Sequence, residues 1–82
     1  MIPVEIEENE NKAEIVFDTD FYDQYWITEV CEEFKDVCKI KVTMSKNKEH
    51  TRVELKPKVQ ESVEKIAYRF SNFVLHKQAG EI

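Results

Sequence analysis

At 82 residues, 41% hydrophobic and 35% charged with a formal net charge of −5, the chain is sized for one domain spanning residues 1–82. Its apolar content exceeds that of a disordered segment, and no apolar run approaches the ~20 residues of a membrane span. A single glycine argues against a glycine-rich phosphate loop, and the opening Met-Ile-Pro-Val-Glu lacks the basic start and apolar stretch of a secretory signal, so none is expected.

Ile2, Val4 and Ile6 alternate with Pro3, Glu5 and Glu7, which predicts a strand over 2–7 with Pro3 at a sheet edge. Asn9-Glu10-Asn11 reads as a turn, and Ala13, Ile15 and Phe17 alternate with Glu14, Val16 and Asp18 in a second strand over 13–18. Asp18-Thr19-Asp20 is a helix-start cluster, because short side-chain oxygens accept the unpaired amides of a first turn. Ile27, Val30, Cys31, Phe34, Val37 and Cys38 then fall on one helical stripe, with Glu29, Glu32, Glu33 and Asp36 opposite, which predicts a helix over 21–37. Strands follow at 39–44 and 50–56, joined by the polar turn Ser45-Lys46-Asn47-Lys48-Glu49 and closed by Pro57. Val59, Val63, Ile66, Ala67, Phe70 and Val74 mark a last amphipathic helix over 58–77, stopped by Gly80.

This order predicts an α+β fold: a two-layer sandwich with an antiparallel sheet of three to four strands and two helices on one face. The arrangement is a ferredoxin-like variant, ββαββα, with expected strand order 1-2-4-3. Residues 1–12 have two readings. They form an edge strand, or, given Pro3 and the run Glu7-Glu8-Asn9-Glu10, a loose tail beside a three-stranded sheet.

Little in the sequence points to catalysis. Cys31 and Cys38, if on one helix, are separated by about 10 Å and cannot pair, and their spacing suits neither a redox nor a zinc motif. Two unpaired thiols suit a reducing cytoplasm, where the protein is expected. His50 and His76 have no second ligand at metal spacing, and Ser45, Ser62 and Ser71 lack a glycine elbow. No catalytic residue, metal or cofactor is therefore expected.

The charge is unevenly spread: residues 1–37 hold twelve acids and two lysines, while residues 38–82 hold ten bases and five acids. An open sheet face would show Lys39, Lys41, Arg52 and Lys56. Such a basic face suits single-stranded RNA, but its outward positions hold no aromatic residue for base stacking, and the net charge opposes phosphate. On the last helix Tyr68 and Leu75 lie two turns apart and face away from the core stripe, a candidate surface for a protein or peptide partner or a homodimer. Tyr25 and Trp26 on the first helix extend it.

Three stretches carry a family resemblance. They are Phe17-Asp18 running into Phe21-Tyr22, Val53-Glu54-Leu55-Lys56-Pro57-Lys58, and Tyr68-Arg69-Phe70-Ser71-Asn72-Phe73-Val74-Leu75. Over residues 16–78 the chain resembles the HxsD-like proteins, small companions of radical-enzyme peptide-maturation systems. The resemblance implies a non-enzymatic accessory or protein-interaction module and supplies no catalytic residues. The element order is also similar to that of the small subunit of the KEOPS complex. That likeness implies the alternative, a nucleic-acid-associated assembly subunit.

Overall fold

Burial alternates along residues 4–7, 12–18 and 50–57 and over the first half of 38–44, the signature of a sheet with one covered face, and the computed structural model, which describes residues 4–7 and 11–80, has that sheet. Its strands are β1 (Val4–Glu7), β2 (Lys12–Asp18), β3 (Cys38–Met44) and β4 (His50–Pro57), all antiparallel, in the order β1-β2-β4-β3. The helices are α1 (Gln24–Phe34) and α2 (Val63–Gln78). The expected ββαββα topology is thus the observed one. The N-terminal segment joins the sheet: Val4 lies opposite Ile15 and Ile6 opposite Ala13. Ile2, Pro3 and the Asn9-Glu10 part of the expected turn lie outside the described residues.

The helix ends differ from their expected positions for identifiable reasons. Asp18 does not cap α1. Its carbonyl accepts from the amides of Phe21 (3.1 Å) and Tyr22 (2.9 Å), and its Oδ1 from the Asp20 amide (2.9 Å), so the cluster closes a turn. The cap is Asp23, in extended backbone geometry, whose Oδ1 accepts from the Tyr25 amide at 2.9 Å. At the other end, Val37 is already held by the Lys58 amide (2.7 Å), so Cys38 opens β3 instead of finishing the helix. The same bond ties Lys58 to the end of the α1–β3 connection, the chain bends over 58–61, and α2 starts five residues later than its apolar stripe suggests. Val59 is left exposed. Gly80, at φ +78°, takes the left-handed position just past α2, its amide donating to Lys77 O at 3.1 Å.

Between sheet and helices lies one core. Ala13, Ile15 and Phe17 from β2 and Val53 and Leu55 from β4 meet Ile27, Val30 and Phe34 of α1 and Ile66, Ala67, Phe70 and Val74 of α2. Phe70 joins the layers, its ring 5.3 Å from Phe34 and 6.2 Å from Phe17. The buried polar groups are satisfied: Thr51 Oγ1 donates to Gln24 Oε1 at 2.6 Å, and Ser71 Oγ to Ala67 O at 3.0 Å. Both helices therefore cover the same face.

At one end of the molecule, the loop leading into α1 is tied to two neighbours. Gln78 at the end of α2 accepts from the Asp23 amide at 2.8 Å and donates through Nε2 to Phe21 O. Thr19 bonds the β3–β4 turn, its amide to Glu49 O (2.9 Å) and its hydroxyl to Lys48 O (2.7 Å). These ties fix where Phe21, Tyr25 and Trp26 stand relative to the end of β3.

Candidate interaction surface

The outer sheet face is not uniformly basic, because the strand order sets acidic strands among basic ones. Arg52 pairs with Glu14 on the adjacent strand (3.1 Å), and Lys12 reaches Glu54 at 3.2 Å and Glu7 at 3.8 Å. Arg52, expected on a basic face, is thus neutralised. Lys39, Lys41 and Lys56 are not: none has an ion-pair partner among the described residues. Lys39 lies directly opposite Lys56, and Lys41 lies opposite Glu54, whose carboxylate Lys12 already engages. The unpaired positive charge therefore collects along β3.

β3 is a sheet edge, pairing with β4 alone. The direction of its backbone groups follows from two flanking bonds. The Ser45 amide donates to His50 O (2.9 Å) and the Lys58 amide to Val37 O (2.7 Å), which makes positions 45 and 37 hydrogen-bonded pairs with their partners. Bonded and non-bonded pairs alternate along an antiparallel ladder. Lys39, Lys41 and Thr43 therefore aim their N–H and C=O at β4. Ile40, Val42 and Met44 aim theirs at the open edge.

The side chains on this edge are also incompletely covered. Val42 is 44% and Met44 43% exposed, although their cross-strand partners Val53 and Thr51 are fully buried. α1 is held over β4 by the Thr51–Gln24 bond and leans on α2, so neither helix overlies the end of β3. Trp26 and Met44 line a groove of about 660 Å³ together with Phe21 and Lys48. Tyr25 stacks edge-on against Trp26 with ring centres 4.8 Å apart. Free backbone groups, uncovered aliphatic side chains and an aromatic rim thus occur at one edge.

The other sequence-predicted surface is more dispersed. Tyr68 and Leu75 are 53% and 49% exposed on α2. Leu75 lines a second groove, of about 510 Å³, with Val16, Phe21, Tyr22 and His50, whereas Tyr68 lines neither groove. Trp26 faces the end of β3 across the larger groove, with Tyr25 stacked on it. The structure therefore divides the four named residues between two places. Val42 and Met44 were missed as surface residues, because their alternation marks the covered face without revealing that the cover stops short.

Among the described residues, no group of three or more His, Cys, Asp or Glu is arranged to hold a metal ion, and no helix is long and apolar enough to cross a membrane. Both cysteines are free. Burial, and secondarily the charge of Glu32, pushes the Cys31 thiol up to about 11. Burial also raises Cys38, with Glu61 adding and Lys58 opposing. Both thiols stay protonated near neutral pH. They are expected to react slowly with an aromatic disulfide reagent in the folded protein and fully after denaturation. A raised thiol pKa contributes stability that is complete below the ordinary value of 9.0 and is lost as pH rises toward about 11. Denaturation midpoints should therefore fall across that window, and fall less in Cys31→Ala. An equal fall in both proteins would assign the alkaline loss to other groups.

Comparison with family models, with curated proteins and with solved structures finds no match.

Proposed function

We propose that this protein is a non-enzymatic interaction module that takes up an extended segment of a partner chain along β3, as a fifth strand of its sheet. The observation that carries the reading is the coincidence on one edge of outward backbone groups at Ile40, Val42 and Met44 with uncovered Val42 and Met44 side chains. Strand addition uses both: main-chain bonds give affinity, and alternate side chains fill the adjoining surface. A role beside a peptide-maturation enzyme, as the HxsD-like resemblance implies, is of this kind, since a companion that holds a peptide extended can present it to the enzyme. The nucleic-acid alternative has weaker support. The outward-facing positions of the four strands carry no Phe, Tyr or Trp on which a base could stack.

Selection from a displayed library of random heptapeptides on the immobilised full chain tests the reading. The enriched peptides are expected to compete for one site and to lose binding in Val42→Pro. Enriched peptides that bind Val42→Pro unchanged but fail on Tyr68→Ala with Leu75→Ala would move the site to α2 and overturn the strand-addition reading.

A further inference from the structure

We infer that the segment received by β3 alternates acidic and aliphatic residues, with its carboxylates on the outer sheet face. The inference rests on the strand-addition reading and names the chemistry of the partner. In a sheet, residues directly opposite each other on neighbouring strands share a face, with Cβ atoms about 4.5–5.5 Å apart. Residues of the incoming strand opposite Lys39 and Lys41 therefore stand on the outer face, beside lysines with no ion-pair partner among the described residues. The residues between them stand on the helix side, beside Ile40, Val42 and Met44.

Charge selects among the candidate occupants. Lys39 already faces Lys56 across the ladder, an unfavourable like-charge pair, and a carboxylate on the open side of Lys39 offsets it. A second copy of β3 would bring further lysines onto the same face, which disfavours edge-to-edge pairing of two β3 strands and is a recognised defence of exposed edges. An acidic strand meets no such opposition. The sheet already holds the matching pattern at its far edge, where β1 reads Val4-Glu5-Ile6-Glu7 with its apolar members toward the core and its acids outward. A partner segment of the same alternation would give β3 what β1 gives β2. An all-aliphatic segment would leave the lysines unpaired, and a basic one would be repelled.

The test titrates the full chain with two synthetic heptapeptides, acetyl-VEIEVEI-amide and acetyl-VKIKVKI-amide, and reads binding by NMR shifts of the backbone amides. The acidic peptide is expected to bind at the β3 edge, at least about tenfold more tightly than the basic one, and to weaken as salt rises from about 50 to about 300 mM. In Lys39→Glu with Lys41→Glu the preference is expected to reverse. If both peptides shift the β3 amides with equal affinity and the double variant changes nothing, strand addition stands and the acidic specificity is overturned. If neither peptide shifts those amides below about 1 mM, and library selection also yields nothing sensitive to Val42→Pro, the underlying reading fails. Sedimentation gives the remaining outcome. Self-association of the free chain that Glu5→Lys with Glu7→Lys abolishes would make a neighbouring copy's β1 the occupant and overturn the assignment to a separate partner.

Discussion

Phe70→Ala is expected to be among the most destabilising single substitutions in the chain, removing about a quarter or more of its folding free energy. Phe70 is fully buried and is the side chain through which α2 touches both the α1 ring of Phe34 and the β2 ring of Phe17. Truncating a core phenylalanine removes its transfer free energy and leaves a cavity, together costing about 3–5 kcal/mol. A domain of 82 residues has about 4–12 kcal/mol in total. Collapse around the gap is restricted, because its walls belong to three different elements. Urea unfolding followed by far-ultraviolet circular dichroism reads the effect. A loss of less than about 1.5 kcal/mol would show that the aromatic cluster is not the centre of the core.

Val42→Pro is expected to do the opposite: it should leave stability nearly unchanged and remove binding at the edge. The Val42 amide points away from β4, so proline breaks no ladder bond, and edge strands tolerate it for that reason. The side chain it replaces is only half-buried, so the lost apolar burial is worth about 1 kcal/mol or less. An incoming strand, however, loses the central donor of the edge and meets the pyrrolidine ring. A bond left unmade in a closed interface costs about 1–3 kcal/mol, or about ten- to a hundredfold in affinity. Thr43→Pro is the control one residue along. Its amide faces β4, so proline there breaks a ladder bond and should cost about 1–3 kcal/mol of stability. If the two prolines destabilise equally, the assignment of inward and outward amides on β3 is wrong.

The fold was legible because its signals are local and repeat within each element. Alternation at Ala13, Ile15 and Phe17 and at Thr51, Val53 and Leu55 specifies both the strands and their covered face. Two apolar helical stripes then leave few ways to close the core. The helix ends were not legible, since Asp18 and Asp23 are equally good caps by residue type. The local bonds that Asp18 accepts from Asp20, Phe21 and Tyr22, together with the tertiary ties from Gln78 and from Thr19 to the β3–β4 turn, hold Asp18 in a turn and leave Asp23 to cap. Val59 belongs to the apolar stripe by spacing, yet the Lys58–Val37 bond keeps its segment out of the helix.

The candidate site was half legible, for a related reason. The sequence marks Lys39 and Lys41 as outward, and the expected order 1-2-4-3 puts 39–44 at one margin of the sheet. It does not reveal coverage, which depends on where α1 lies, so Val42 and Met44 read like any other inward residues. Nor does it reveal charge neighbours. The acidic first half and basic second half look like two separate surfaces along the chain, but the order β1-β2-β4-β3 sets Glu14 beside Arg52 and leaves Lys39 and Lys41 exposed at the margin. Tyr68 and Leu75 share a helical face by periodicity, yet of the two only Leu75 lines either of the grooves described above.

Amide hydrogen exchange along β3, with and without a peptide enriched from the library, tests the central claim most directly. In the free protein the amides of Lys41 and Thr43 should exchange slowly and that of Val42 quickly. With peptide bound, Ile40, Val42 and Met44 should slow by at least about tenfold, while Lys41 and Thr43 change little. That every-second-residue pattern is peculiar to a strand added at this edge. Peptide binding that leaves Val42 exchanging as before, with protection appearing on α2 instead, would contradict it.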